Sequence, residues 1–298
     1  MISADETFDG TWPFPPHFSD RRGFRMHYVD EGAGQPIVCL HGEPTWGYLY
    51  RRFIPRLARL GRVVVPDHMG FGKSATPQDR DYSIRAHVDN LESLLDELGL
   101  SEITFVAQDW GGPIASCFAL RHPERVKRLC FMNTGVPGRT PAGVKTVADF
   151  PWFKWVKTDE SKAVLSNLGA TILSVMKRIG FERTGHVDET WIRAYAAHFR
   201  TPADCKGALQ FPQCIGSPET IATMLEHIAN LPKLAAKPAM YLHGEADRAI
   251  PTEQSVGAFR GTWPAGPVVT LPGVGHFIQE DAPETACALI EQFVQMTG

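Results

Sequence analysis

The sequence is short of several features that would settle its class at a glance. No run of Lys or Arg concentrates positive charge, and 30 basic against 33 acidic residues leave a formal net charge of −3. There is therefore no electrostatic footprint for nucleic acid or an anionic membrane. Nothing approaches the roughly 18 consecutive apolar residues that span a bilayer, and the opening Met1-Ile-Ser-Ala-Asp-Glu-Thr-Phe-Asp-Gly10 lacks a basic segment followed by an apolar one. The expectation is a soluble, cytoplasmic protein. The six cysteines, Cys39, Cys117, Cys130, Cys205, Cys214 and Cys287, show no C-x-x-C spacing, so buried thiols are expected. His41, His68 and His243 sit near presumed strand ends, but no Cys/His pairing has zinc-site spacing and no metal is expected. Gly72-Lys-Ser74 imitates the end of a phosphate loop, yet Asp67 stands where that motif requires its first glycine, so no nucleotide is implied. Internal repeats, low-complexity tracts and long linkers are absent too.

What is present is a chain of 298 residues, 43% hydrophobic and 21% charged. That is enough to bury a core as one large α/β domain, or as a core carrying an insertion, and its charge balance points to a small neutral partner. Short strands are expected around Phe18 and over Met26 to Asp30, Pro36 to Leu40 and Arg62 to Pro66, with a helix near Tyr48 to Leu60. Over Ala86 to Leu98, Val88, Leu91, Leu94, Leu95 and Leu98 recur at helical spacing, which predicts an amphipathic helix lying on a sheet. Strands follow at Ile103 to Ala107 and Arg128 to Met132, and this βαβ alternation implies a mostly parallel sheet covered on both faces. From residue 138 to 230 helical periodicity continues without a convincing strand, which predicts an inserted helical cap. Strands resume over Pro238 to His243 and Pro267 to Leu271, and a last helix carries Leu289, Ile290, Phe293 and Val294 as one stripe. The division is thus a core of residues 1–137 and 231–298 with a cap of 138–230.

In an open α/β sheet, ligands bind beyond the carboxyl ends of the strands, so residues just after each strand carry the most information. The most informative stretch is Glu102-Ile-Thr-Phe-Val-Ala-Gln-Asp-Trp-Gly-Gly-Pro113, a buried strand running through a tight turn into a helix with Asp109 at the apex. This is the strand-to-helix elbow that in α/β-hydrolases lifts a nucleophile, with an aspartate in place of the usual serine. A carboxylate is ionised at neutral pH without help from a base and can displace a leaving group from saturated carbon. Asp109 could instead simply cap the helix that begins at Gly111. Three other strand ends bear on the choice. His41-Gly-Glu-Pro-Thr-Trp46 offers the main-chain N–H of Glu43, which with that of Trp110 could receive an oxyanion at about 3 kcal/mol per donor. His243-Gly-Glu-Ala-Asp247 offers Asp247 as an acid, with Glu245 competing for the role. Gly273-Val-Gly-His276 offers His276 as a base. Nucleophile, acid, histidine is the chain order of α/β-hydrolase triads.

On these motifs the chain resembles the haloalkane dehalogenases. The resemblance runs through Arg25-Met-His-Tyr-Val-Asp-Glu31, His41 to Tyr50, Gly70-Phe-Gly-Lys-Ser74, Gln108 to Gly112, Met132-Asn-Thr-Gly135, Phe211-Pro212 and His276 to Asp281. It implies the α/β-hydrolase fold and a hydrolase acting on carbon–halide bonds, in which Asp109 forms a covalent alkyl ester that water, activated by His276, hydrolyses while Asp247 orients the histidine. It further implies two indole N–H donors for the departing halide, Trp110 and one tryptophan of the cap. Alignment with the family's aromatic-x-x-Trp motif favours Trp155, with Trp152 as the alternate. Here the sequence departs from the usual pattern, since many relatives carry phenylalanine at the position of Trp152 and a basic residue at that of Val156. No cofactor is implied; the partners are a small halogenated alkane, water and halide, and the protein is expected to be a monomer. An epoxide hydrolase could use the same aspartate, but that family supplies two cap tyrosines and this segment has only Tyr195. A serine-type esterase is excluded because the elbow has no Ser or Cys. A binding protein that kept the fold and lost the reaction remains the alternative of another class.

Overall fold

The computed structural model describes residues 1–298. Its centre is an eight-stranded sheet of β1 (His17–Ser19), β2 (Met26–Glu31), β3 (Pro36–Leu40), β4 (Arg62–Pro66), β5 (Ile103–Gln108), β6 (Val126–Met132), β7 (Ala239–Gly244) and β8 (Val268–Leu271). The spatial order is β1-β2-β4-β3-β5-β6-β7-β8. The β1–β2 and β2–β4 pairings are antiparallel and the rest parallel. Every residue of β3, β5 and β7 is buried, as strands without polar alternation require when helices cover both faces of a sheet. This is the α/β-hydrolase fold.

The helix Ile84–Glu97 buries Val88, Leu91, Leu94 and Leu95, and Ser83 caps it by accepting the N–H of Ala86 at 3.2 Å, satisfying one of the donors that a helix start leaves open. The single helix expected over Tyr48 to Leu60 is instead two short pieces, a 3₁₀ turn at Gly47–Tyr50 and an α-turn at Ile54–Leu57. Pro55 is the reason: it has no N–H to continue a helix but fits the first turn of a new one. All six cysteines are buried and unpaired. No helix is long and apolar enough to cross a membrane.

Between β6 and β7 the chain forms only helices, among them Pro151–Val156, Leu168–Ile179, Glu189–Ala196, Lys206–Cys214 and Pro218–Leu225. They lie across the carboxyl end of the sheet and are bonded to it. Trp46 Nε1 donates to Ala194 O at 2.9 Å, the N–H of Arg248 to Ile179 O at 2.9 Å, and the N–H of His276 to Gly180 O at 2.7 Å. The loop that carries His276 is thus held from both sides.

Chain direction across the sheet reverses at β3 and β5, which are neighbours although β4 separates them in sequence. A crevice opens at such a switch point. The turns after β3 and β5 are the ones that carry Glu43 and Asp109.

Candidate active site

The elbow forms because its backbone can be pressed tightly together. Asp109 has φ +51°, a left-handed conformation that costs a non-glycine residue and persists only where surroundings enforce it. They do so here. The N–H of Asp109 donates to Asn133 O at 3.2 Å, its carbonyl accepts the N–H of Gly112 at 3.0 Å, and Thr134 Oγ1 donates to that same carbonyl. Two glycines make room. A Cβ on Gly111 would lie 2.3 Å from Leu40 O, and one on Gly42 would lie 2.1 Å from Asp109 Oδ1, so the strand-end loops approach closely only without side chains.

The two carboxylate oxygens of Asp109 face different partners. Oδ1 accepts the N–H of Glu43 at 2.7 Å, and Oδ2 lies 3.3 Å from His276 Nε2. Of the two amides expected to face an oxyanion, the one hydrogen-bonded to the carboxylate is that of Glu43. His276 Nδ1 is 2.8 Å from Asp247 Oδ2, and Asp247 Oδ1 accepts the N–H groups of Ala249 at 2.7 Å and Ile250 at 2.9 Å. The competing Glu245 is exposed to solvent. Asp109, His276 and Asp247 therefore come together from the ends of three strands, in the order the sequence suggested.

Electrostatics follow from burial. Burial disfavours the imidazolium of His276, but Asp247 and then Asp109 outweigh it and raise its pKa to about 10. Asp247 is fully enclosed, which alone would raise it, yet His276 and a hydrogen bond from Asn133 hold it below the usual carboxylate range. Glu43 is the opposite case. Desolvation, reinforced by Asp109, pushes its carboxyl well above the ordinary value, and its Oε1 is buried with no partner. Burial thus disfavours the charged form of Glu43 beside Asp109.

Three contributors were not singled out from sequence. Asn133 Nδ2 donates to Asp247 Oδ2 at 2.6 Å while its Oδ1 accepts the N–H of Gly244 at 2.7 Å, so one amide ties the acid to β7. Gln108 Nε2 donates to His276 O at 3.2 Å, and Thr134 braces the elbow as described. Asn133 directly follows β6, and the rule that pointed to Glu43, Asp109, Asp247 and His276 would have found it.

Asp109, Glu43 and Trp110 face a cavity of about 780 Å³, and 18 of its 30 lining residues are hydrophobic, so charges formed inside it are weakly screened. Trp110 stacks on Phe211 with ring centroids 5.1 Å apart and planes 9° apart. Trp152 lines the cavity and Trp155 does not. Trp155 lies behind Trp152, centroids 5.1 Å apart, with the Arg178 guanidinium 4.5 Å from its ring and its own Nε1 buried without a partner. In the helix Pro151–Val156 the first tryptophan thus borders the cavity while the second packs against Arg178. No tyrosine lines the cavity. Tyr195 is buried elsewhere, its hydroxyl donating to Glu280 Oε1 at 2.5 Å.

Residues 35–283 match the family model of the alpha/beta hydrolase fold. The chain is similar to the cis-3-alkyl-4-alkyloxetan-2-one decarboxylase of Shewanella oneidensis, 33% identical over 97% of this chain and 91% of that protein. It is similar to a comparable degree to haloalkane dehalogenase 2 of Mycobacterium tuberculosis, 32% identical over 98% of this chain and 100% of that one. Among solved structures, a haloalkane dehalogenase from Bradyrhizobium elkani superimposes with a TM-score of 0.81 at 26% identity, covering 95% of this chain and 98% of that one.

Proposed function

Because the chain belongs to the α/β-hydrolase fold family, with haloalkane dehalogenases among its full-length relatives, we propose that it hydrolyses a haloalkane to an alcohol and halide through an ester on Asp109. The observation that carries this reading is the divided environment of that carboxylate. One oxygen lies 3.3 Å from His276 and the other is bonded to the Glu43 amide, at the floor of a largely apolar cavity.

In the first step Asp109 Oδ2 attacks the halogen-bearing carbon from the side opposite the halogen, the C–O bond forms, and the halide leaves with the bonding pair. A naked halide is costly in such a cavity. The indole N–H groups of Trp110 and Trp152 receive it without being able to protonate it. The displacement also consumes a charge. Once Asp109 is an ester, His276 has lost one of the two carboxylates that hold its pKa near 10, so it can release its proton and act as a base. In the second step His276 takes a proton from water, the oxygen adds to the ester carbonyl, and negative charge gathers on the oxygen already bonded to Glu43 N–H. Collapse breaks the bond from the carbonyl carbon to the alkyl oxygen, the departing alkoxide takes back the proton from His276, and the new carboxyl of Asp109 passes its own proton to the imidazole, restoring the carboxylate. Asp247, held by Asn133 and two amides, keeps Nδ1 protonated and the ring in place.

Epoxide opening is disfavoured because its alkoxide needs an acidic donor, and Tyr195 is committed to Glu280. The decarboxylase relative supports a second reading. A carboxylate could open a four-membered lactone at its alkyl carbon with the ring carboxylate as leaving group. The C–C bond to that carboxylate would then break, giving carbon dioxide and an alkene as Asp109 departs, with no water consumed. The size of the cavity favours a substrate of that bulk. A panel of 1-bromoalkanes at pH 7–9 separates these readings: bromide and alcohol should appear in equal amounts. Conversion of a cis-3,4-dialkyloxetan-2-one to alkene without bromide release from any bromoalkane would replace the first reading by the second. Turnover of styrene oxide alone would replace both.

A further inference from the structure

The cavity extends well past the reacting atoms. The residues of the helix Gly111–Arg121 that line it, with Trp110 before it, are Pro113, Ser116, Cys117 and Leu120. Their spacing is that of one helical stripe. From Trp110 to Leu120 at about 1.5 Å per residue, the stripe runs about 15 Å. Across from it stand Thr220 and Met224 of the helix Pro218–Leu225. At the mouth are Ile221, Leu225 and Ile228, exposed by 47%, 53% and 38%. The protein has only three other large hydrophobic residues so exposed, and two of them, Met1 and Met296, lie at or near the chain ends. Apolar exposure is thus gathered where this channel opens, which marks a binding surface rather than chance. The channel wall is chemically quiet as well: burial raises the Cys117 thiol to about 11, so at neutral pH it stays protonated and does not compete for an electrophile.

We infer that the substrate carries a linear, unbranched alkyl tail of about twelve carbons, which lies along Pro113, Ser116, Cys117 and Leu120 and ends between Ile221, Leu225 and Ile228. The length follows from a zigzag chain of bonds near 1.5 Å, which advances about 1.3 Å per carbon. The assignment rests on the reading above for the identity of the reacting carbon, and on the channel alone for the tail.

The test uses product-like ligands that need no turnover. Binding of 1-alkanols from butanol to tetradecanol is measured by titration calorimetry on the intact protein. Affinity should rise about three- to fourfold for each methylene buried and level off near dodecanol. Cys117→Phe, which plugs the stripe about 10 Å from Trp110, should end the rise near octanol. Leu225→Glu, at an exposed position that tolerates substitution, should weaken dodecanol about tenfold relative to butanol. Affinity that is flat beyond butanol, or an unaltered series in both variants, overturns the inference. An intact series in a protein that releases no bromide removes the dehalogenase reading and leaves the tail channel standing.

Discussion

Two buried carboxylate clusters hang on the same short segment, residues 276–281, and they are built in opposite ways. Around Glu280 every valence is used. Arg51 bonds both oxygens, with Nη2 2.9 Å from Oε2, while Tyr195 donates to Oε1 at 2.5 Å and His186 Nε2 lies 2.8 Å from Oε2. Burial would raise this carboxyl, but Arg51 and the hydrogen bonds hold it at about 2. Around His276 the network stops short: Nε2 is 3.3 Å from Asp109 without a hydrogen bond, and Glu43 Oε1 has no partner. A satisfied network rigidifies, whereas an unpaired polar atom in a low-dielectric site costs free energy until something meets it. The first cluster joins the helical insertion, through His186 and Tyr195, to the core. The second keeps polar atoms without partners.

If that contrast holds, breaking the open cluster should cost chemistry and breaking the closed one should cost stability. The largest expected effect is in His276→Phe. Steady-state turnover should fall by roughly three orders of magnitude or more, while displacement by Asp109 continues, so mass spectrometry of the intact protein should find one alkyl group per chain, on Asp109. An adduct on another residue, or none, would unseat the nucleophile.

Glu280→Gln attacks the closed cluster. Leaving Arg51 buried opposite a neutral amide should cost about 3–5 kcal/mol in urea unfolding, with little change in the alkylation rate of molecules that remain folded. The pH dependence is a sharper check. Because the folded carboxyl titrates at about 2 rather than near 4.5, its stabilisation is complete above the unfolded value and is lost as pH falls from about 4.5 toward 2. Wild type should lose stability across that window, and Glu280→Gln should lose less. Equal slopes would show that the cluster is not the bolt described.

The smallest effect concerns which indole completes the open cluster. Trp152→Phe should weaken bromide quenching of tryptophan fluorescence and slow alkylation about ten- to a hundredfold, the worth of one hydrogen bond to a charge. Trp155→Phe should do neither. The reverse result would return the donor to Trp155 and require the helix Pro151–Val156 to turn when substrate is bound.

Much of this was legible beforehand. An apolar β-branched run followed by Gln108-Asp-Trp-Gly-Gly112 can hardly be other than a covered strand ending in a tight elbow, because small residues must stand where the backbone doubles back on Leu40. Asp247 in preference to Glu245 followed from the family resemblance and not from the local residues: both follow β7 within three residues, and the fold buries one and exposes the other. The choice between Trp152 and Trp155 was not legible: they share one face of a helix and differ in whether Arg178 covers them. The Glu280 cluster left no local trace, since its members stand at positions 51, 186, 195 and 280.

The sequence by itself determined the alternation of strands and helices, the elbow, the chain order of the reacting groups and the absence of a serine nucleophile, because each depends on residues near one another along the chain. Tertiary structure alone decided that Asn133 steadies the acid, that Tyr195 is tied up away from the cavity, that Trp152 reaches it and that the cavity runs on to an apolar mouth. Those are relations between segments far apart in sequence, and their distances are fixed only when the insertion packs onto the sheet and excludes water from between them.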